Sequence, residues 1–186
     1  MEYAIKAAGQ SRLLLVEQFF LLSIENRDGF LRSPLFCICG TALADLAVQG
    51  YVSIFENKAE PVCSRIQPLS PTCPGHSCMK QAFDNVQRDP NHNTGDHVFR
   101  GSISRAGRQV QSALEESLSR RGIEQKEFKK RWWLRPRYGL LKLQLRRQME
   151  ARIEAIFTGA KGDTESLILL ASIEDYQIGR ASCRER

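Results

Sequence analysis

The sequence lacks any apolar run long enough to cross a membrane as a helix. Its longest such run, Leu13–Ile24, has twelve residues and contains Glu17 and Gln18, whereas a spanning helix needs about 20 apolar residues. The two polar residues also break the pattern of a signal peptide, and no small-residue cleavage site follows. The run is apolar almost all round, which predicts a central, buried helix of a cytoplasmic domain.

Motifs for catalysis and metal binding are also scarce. The chain has no glycine-rich phosphate loop and no G-x-S-x-G motif. Its three histidines, His76, His92 and His97, fall in predicted loops without an obvious nucleophile or paired carboxylates. Cys73-x-x-His76-x-Cys78 has some character of a zinc site but lacks the second pair of ligands that a structural zinc normally uses. We therefore expect no enzyme activity, no metal and no cofactor, with zinc as the less favoured alternative.

Length and composition are those of one globular domain. The chain has 186 residues, 42% of them hydrophobic and 26% charged, enough to bury a real core. The last nine residues, Ile178–Arg186, match the translation of a common sequencing-library adapter, and we interpret them as an artefact. The predicted organisation is an N-terminal extension over 1–12, a helical domain over 13–177 that is incomplete at its C-terminus, and the tail over 178–186.

Positive charge is concentrated in one stretch. Between Arg120 and Arg147 there are eleven Lys and Arg residues against two acids, Glu124 and Glu127, a local excess of 11 − 2 = +9. Such an excess indicates an anionic partner: lipid headgroups, nucleic acid or an acidic protein.

Apolar periodicity and helix-ending residues predict a mainly α fold, a globular helical bundle with short β-hairpins. Gly50 and Gly122 are expected to end helices, and Asp163 or Thr164 to cap the last one. The predicted helices are Leu13–Ile24, Phe36–Gln49, Ser77–Gln87, Ser102–Arg121, Leu140–Phe157 and Ser166–Tyr176.

Strand-forming residues and turn residues predict one early hairpin and two loops. Tyr51–Phe55 is a short strand, and Glu60–Ser64 is its expected partner across an Asn57-Lys58 turn. Proline and glycine mark Gln67–Gly75 as a loop, and Arg88–Asp96 as a surface loop.

The segment Phe128–Tyr138, FKKRWWLRPRY, combines aromatic and basic residues. Pro136 prevents a continuous helix, so a loop or hairpin is expected here. Adjacent tryptophans among cations suit the interface of an anionic membrane. A core tryptophan and a nucleic-acid contact by phosphate binding and stacking remain the alternatives. The candidate membrane-inserting residues are Lys130, Arg131, Trp132, Trp133, Leu134, Arg135 and Arg137.

The order of elements resembles the Golgi phosphoprotein 3 (GPP34) family. The residues that carry the resemblance are the Asn26-Arg27-Asp28-Gly29 turn, the small-residue helix Gly40–Gly50, the strand Tyr51–Phe55 and the Arg121-Gly122-Ile123 helix end. The family consists of peripheral membrane proteins whose eukaryotic members bind phosphatidylinositol 4-phosphate. The resemblance implies that the Trp132-Trp133 segment is a hairpin with a membrane-entering tip. It also implies a further C-terminal helical segment, without which the apolar surface of Ser166–Tyr176 is expected to be uncovered.

The resemblance implies a headgroup site as well. Eukaryotic members use an aromatic residue after the first turn, an arginine before the glycine that begins helix two, and two arginines one turn apart on helix four. By position these fall on Phe30, Cys39, Arg108 and Gln111, so one of the three arginines is kept. Arg105 is close enough in sequence to substitute, as are Arg32 and Arg100. The candidate headgroup-binding residues are therefore Phe30, Arg105 and Arg108.

We expect a divergent or prokaryotic-type family member that binds anionic lipid, phosphoinositide or phosphatidylserine-like, with less selectivity than its eukaryotic relatives. By resemblance it is an adaptor that holds the cytosolic tails of membrane enzymes, at the cytosolic face of the Golgi if eukaryotic. Oligomerisation on membranes is compatible with this interpretation. A basic nucleic-acid-binding helical module is the alternative.

Overall fold

A computed structural model describes residues 13–24, 35–55, 64–69, 71–72, 74–88, 93–103, 105–127 and 137–173, with backbone only for 99–103, 106 and 125–127. These residues form seven helices and two antiparallel hairpins, which confirms the predicted mainly α class. In chain order the elements are α1 Leu15–Ser23, α2 Leu35–Val48, β1 Val52–Phe55, β2 Arg65–Pro68, α3 Ser77–Arg88, α4 Thr94–Ile103, α5 Arg105–Arg120, β3 Glu124–Glu127, β4 Arg137–Leu140, α6 Leu143–Phe157 and α7 over residues 164–173.

Helix α1 lies at the centre of the core, as its all-round apolar sequence predicted. Val16, Phe19 and Phe20 are completely shielded from solvent, and α2 and α6 pack against the helix. Each such side chain stabilises the fold by about 1.5–3 kcal/mol relative to an exposed one. The polar Glu17 is equally buried, so the core must supply partners for a charge.

Helix α2 ends at Gly50 as predicted, in a Schellman motif. The N–H of Tyr51 donates to the carbonyl of Leu46 at 2.9 Å and the N–H of Gly50 to that of Ala47 at 3.0 Å. This geometry requires the left-handed backbone of Gly50, whose φ is +75°. Helix α2 packs against α1 and also against α3, α4 and α5, so it connects the central helix to these three helices.

The predicted partner of the first strand is wrong. Strand β1 pairs with Arg65–Pro68 and not with Glu60–Ser64, so part of the predicted loop Gln67–Gly75 is a strand. The pairing places Ile54 opposite Ile66, whose side chain is buried in the core. The backbone N–H of Leu69 donates to the carbonyl of Tyr51 at 2.9 Å, so these two residues form a hydrogen-bonded pair of the ladder. Hydrogen-bonded and non-hydrogen-bonded pairs alternate along antiparallel strands, so Pro68, the residue before Leu69, stands in a non-hydrogen-bonded pair. Its missing N–H therefore costs the ladder no hydrogen bond.

The predicted helix Ser102–Arg121 corresponds to two helices. Helix α4 begins at Thr94, inside the predicted loop Arg88–Asp96, and α5 begins at Arg105. The asparagine-rich sequence that suggested a loop contains the cap: the side chain of Asn93 accepts from the N–H of Asp96 at 2.8 Å.

Helix α5 packs into the core through apolar residues that recur four positions apart. Val110, Leu114 and Leu118 are buried, and Gly122 ends the helix with φ of +61°. The N–H of Ile123 donates back to the carbonyl of Leu118 at 3.0 Å, which turns the chain directly into β3.

Helix α6 starts three residues later than predicted, because Arg137–Leu140 pairs with β3. Leu141, which lies inside the predicted helix Leu140–Phe157, is outside α6 and is 58% exposed. In α7 the carboxylate of Asp163 accepts from the N–H of Ser166 at 2.7 Å, which confirms the predicted cap.

Candidate functional site

The first turns of α5 carry two arginines on one face. Arg105 and Arg108 are three residues apart, which makes them neighbours on a helix, and both side chains are exposed. Within the described part of the chain neither guanidinium has an ionic or hydrogen-bonding partner. Two unneutralised cations near a helix N-terminus form an anion-attracting surface. The role predicted for them as headgroup contacts stays a prediction.

The next turn of α5 carries no cation. Gln111 stands there, and its Nε2 donates to Oε1 of Glu115 at 2.8 Å. The hydroxyl of Tyr138, on β4, donates to the same oxygen at 2.8 Å. A carboxylate therefore lies close to the position where the family resemblance implies a second arginine, and it opposes a multiply charged anion at that point.

Cys39 is buried on α2 beside a small cavity. The cavity has a volume of about 20 Å³, room for about one water molecule, and Cys39, Leu43, Ala82, Asn85, Val86, His97 and Val110 line it. Burial, reinforced by the neighbouring Cys37, raises the pKa of the Cys39 thiol to about 11. The thiol is therefore neutral and cannot take the place of an arginine opposite a phosphate.

Most of the other predicted site residues lie outside the described part of the chain. This applies to Phe30 and to residues 130–135, so their roles remain predictions. Arg137 is described: it begins β4, opposite Glu127, with a half-buried side chain. The predicted hairpin between the two helices is present in its strands β3 and β4.

A second polar site, which the sequence analysis missed, surrounds the carboxylate of Glu17. Arg121 donates to both of its oxygens at 2.8 and 2.7 Å, and Ser117 Oγ donates at 3.1 Å. The N–H of Leu14 donates at 3.0 Å, and Nε2 of His76 lies 3.3 Å away. The cluster joins α1, the start of α3 and the end of α5. Its only sequence signal was a glutamate inside an apolar run.

The environment of Glu17 determines its protonation. Burial alone would raise the pKa of this carboxyl. Hydrogen bonds from His76, from the Leu14 N–H and from Arg121, together with the positive charge of Arg121, outweigh burial and hold the pKa below its ordinary value. Glu17 is therefore ionised at neutral pH, and the Glu17–Arg121 pair is a buried salt bridge with many donors.

The same cluster brings a serine to a histidine. Ser117 Oγ lies 2.9 Å from Nε2 of His76, a contact expected of a nucleophile and its base. In a catalytic triad, however, the carboxylate orients the opposite ring nitrogen. Here Glu17 approaches the same Nε2 and also accepts from Ser117. The arrangement serves the buried carboxylate, and it does not activate the serine.

The prediction that His97 lies in a loop is wrong. His97 lies on α4 rather than in a loop, while His92 is outside the described residues. Among the residues that the structure describes, no group of three or more His, Cys, Asp or Glu side chains could hold a metal ion. Cys73, part of the weak zinc pattern, lies outside them.

Fold and site together define a mainly helical domain with two small hairpins and an exposed cation pair on α5. A family model described as Golgi phosphoprotein 3 (GPP34) matches residues 15–185, which include all eleven elements. The chain belongs to the Golgi phosphoprotein 3 (GPP34) family, and membership indicates a Golgi phosphoprotein 3-like role. The match gives no boundary at Ile178, and the division predicted there stays a prediction. A search of curated proteins found no match.

A helix that crosses a bilayer must be both long and apolar. Across the described ranges, no helix combines the length and the apolar character that crossing a bilayer demands. The longest, α5, has 16 residues and is mostly polar on its outer face.

Proposed function

We propose that this protein is a peripheral membrane protein that binds anionic phospholipid through Arg105 and Arg108. The observation that carries the proposal is that both guanidinium groups are exposed on one face of α5, without a partner among the residues that the structure describes, in a chain of the GPP34 family. Exposed cations near an anionic leaflet contribute about 1 kcal/mol each. The pair alone is therefore a weak anchor, and the basic β3–β4 region is needed to complete the binding surface.

The lipid headgroup is recognised mainly by its charge. Selective binding of a phosphoinositide needs several charge-assisted donors that converge on one phosphate. Cys39 is buried and neutral, and Gln111 is engaged with Glu115. Two of the three cation positions implied by the resemblance thus carry no charge, which favours recognition of total membrane charge over inositol identity.

The wider role follows from the family alone. We propose an adaptor that docks on an anionic leaflet, at the Golgi in a eukaryotic cell, and holds the cytosolic tails of membrane enzymes. No catalytic step is assigned to the chain, because its Ser117–His76 contact is committed to the Glu17 carboxylate.

Flotation with phosphatidylserine-containing vesicles tests the proposal. Arg105→Ala with Arg108→Ala should weaken binding about 10- to 30-fold at low salt, from about 1 kcal/mol per cation, and high salt should weaken wild-type binding strongly. Lys80→Ala with Lys161→Ala is the control, because it removes the same charge from exposed sites on other parts of the molecule. Equal loss in both double variants would show that only net charge matters. Gel-shift binding of DNA or RNA without vesicle binding would instead establish the nucleic-acid alternative.

A further inference from the structure

Tyr138 connects the second hairpin to the middle of α5. Its hydroxyl donates to Glu115 at 2.8 Å, and Gln111 donates to the same carboxylate oxygen at 2.8 Å. The ring is only 4% exposed and packs edge-on against Phe20 of α1, with centroids 5.4 Å apart and an interplanar angle of 89°. The side chain is thus held at both ends, by an aromatic contact in the core and by a charge-assisted hydrogen bond at its tip.

The contact fixes the direction of the hairpin. The base of the hairpin is attached next to the end of α5, where the N–H of Leu141 donates to the carbonyl of Ile123 at 2.9 Å. Tyr138 is paired with Lys126, three positions further along the ladder. Because Glu115 precedes the end of α5, the hydrogen bond folds the hairpin back alongside the helix, toward its N-terminal half.

This direction leads toward the cation pair. Arg108 precedes Glu115 by seven residues, about 10 Å along a helix axis at 1.5 Å per residue. Strand β3 ends at Glu127 and β4 begins at Arg137, on the side of Tyr138 away from the hairpin base. The open ends of the two strands therefore point along α5 toward its two arginines.

We infer that the Tyr138–Glu115 hydrogen bond is a positioning contact: it holds the β3–β4 hairpin along α5 so that the hairpin and the Arg105–Arg108 pair meet the same membrane. The membrane part of this inference rests on the proposed function. The contact also gives position 111 a role. Gln111 supports Glu115 by a neutral hydrogen bond, whereas an arginine there would form an ion pair with Glu115 and compete with Tyr138.

Amide hydrogen exchange without lipid tests the contact itself. Tyr138→Phe removes the hydroxyl and keeps the ring on Phe20, and Glu115→Ala removes the acceptor. Both should speed exchange in β3 and β4 about tenfold or more, the effect of losing a hydrogen bond to a charged group, with the α1 amides unchanged. Glu115→Gln keeps an acceptor without the charge and should speed exchange less than Glu115→Ala does. Glu116→Ala is the matched control, because Glu116 is an exposed carboxylate bonded to Arg120 on the surface.

Vesicle binding tests the positioning role. In Tyr138→Phe and Glu115→Ala, flotation on acidic vesicles should weaken about tenfold or more relative to the Glu116→Ala control, and the blue shift of tryptophan emission should be lost. General destabilisation would also speed exchange of the α1 amides, so lost vesicle binding with unchanged α1 exchange separates positioning from structure.

Two outcomes overturn the inference, and they differ. Unchanged exchange in β3–β4, or a full blue shift in both variants, would show that the hydrogen bond does not orient the hairpin. Failure of the wild-type protein to bind vesicles at all would remove the proposed function and with it the membrane role, while the exchange data would still report whether Tyr138 holds the hairpin.

Discussion

Removal of Arg121 should lower the free energy of unfolding, because the Glu17 carboxylate stays buried without its guanidinium partner. Glu17 is 0% exposed and receives two of its hydrogen bonds from the Arg121 guanidinium, at 2.8 and 2.7 Å. Arg121→Met keeps most of the aliphatic stem and removes the charge. Ser117, the Leu14 N–H and His76 remain beside the carboxylate, but the permanent positive charge of the guanidinium would be gone. Breaking one side of a buried ion pair costs about 3–5 kcal/mol, a large share of the roughly 5–15 kcal/mol that stabilise a typical domain.

Urea denaturation followed by circular dichroism at pH 7.5 measures this cost, with Arg120→Met as the control. Arg120 also bonds a glutamate, Glu116, but both side chains are more than half exposed, so its removal should cost at most about 1 kcal/mol. The double variant Glu17→Gln with Arg121→Met should recover a large part of the loss, because the buried charge is then gone from both sides.

The effect of pH has a definite sign. The pKa of Glu17 is lowered in the folded protein, so the carboxylate stabilises the fold above its unfolded pKa, and this contribution is lost as pH falls through the lower, folded value. Without Arg121 the folded carboxyl protonates more readily, and the gap between Arg121→Met and wild type should narrow from pH 7.5 toward pH 4.5. A loss below about 1 kcal/mol for Arg121→Met, or a double variant no more stable than the single one, would refute this account of the cluster.

Four further predictions concern other sites. Burial, opposed by hydrogen bonds from the Val16 and Leu15 N–H groups, raises the pKa of Asp45 to about 6. As pH rises from roughly 4 to 7, the wild type should therefore lose up to about 3 kcal/mol of stability relative to Asp45→Asn. A difference in urea midpoints that does not change with pH would contradict this prediction. Arg146 donates to three carbonyls at the end of α1, so Arg146→Met should cost about 2–4 kcal/mol in the same assay, whereas Glu150→Gln, which alters only its exposed partner, should cost under about 1 kcal/mol. Trp132→Ala with Trp133→Ala should abolish flotation on acidic vesicles, and unchanged flotation would exclude insertion of this segment. Vesicles of equal total charge, containing phosphatidylserine or the 4-phosphoinositide, should bind within a few-fold of each other; a preference of about tenfold, or 1.4 kcal/mol, for the phosphoinositide would mean that other arginines rebuild a selective pocket.

Features that depend on neighbouring residues were predictable from the sequence. The apolar run around Phe19 and Phe20 could only be a buried helix. Gly50 and Gly122 mark helix ends because few other residues adopt the left-handed backbone that the closing hydrogen bonds require. Asp163 was a predictable cap for the same kind of reason: its side chain reaches the free N–H groups of the next turn. In the candidate site, the exposure of Arg105 and Arg108 followed from the apolar face on the other side of the same helix.

Tertiary structure alone decided which distant groups meet. Strand β1 pairs with Arg65–Pro68 because that register buries Ile66, and neither strand encodes the choice in its own pattern. Glu17 is paired with Arg121, more than 100 residues away along the chain, and nothing in either local sequence marks one as the partner of the other. The bond from Tyr138 to Glu115 likewise exists only because the hairpin folds back on α5. Helix caps and apolar faces are short-range and repeat every few residues, whereas these contacts depend on the relative placement of whole elements, which is set by packing of the shared core.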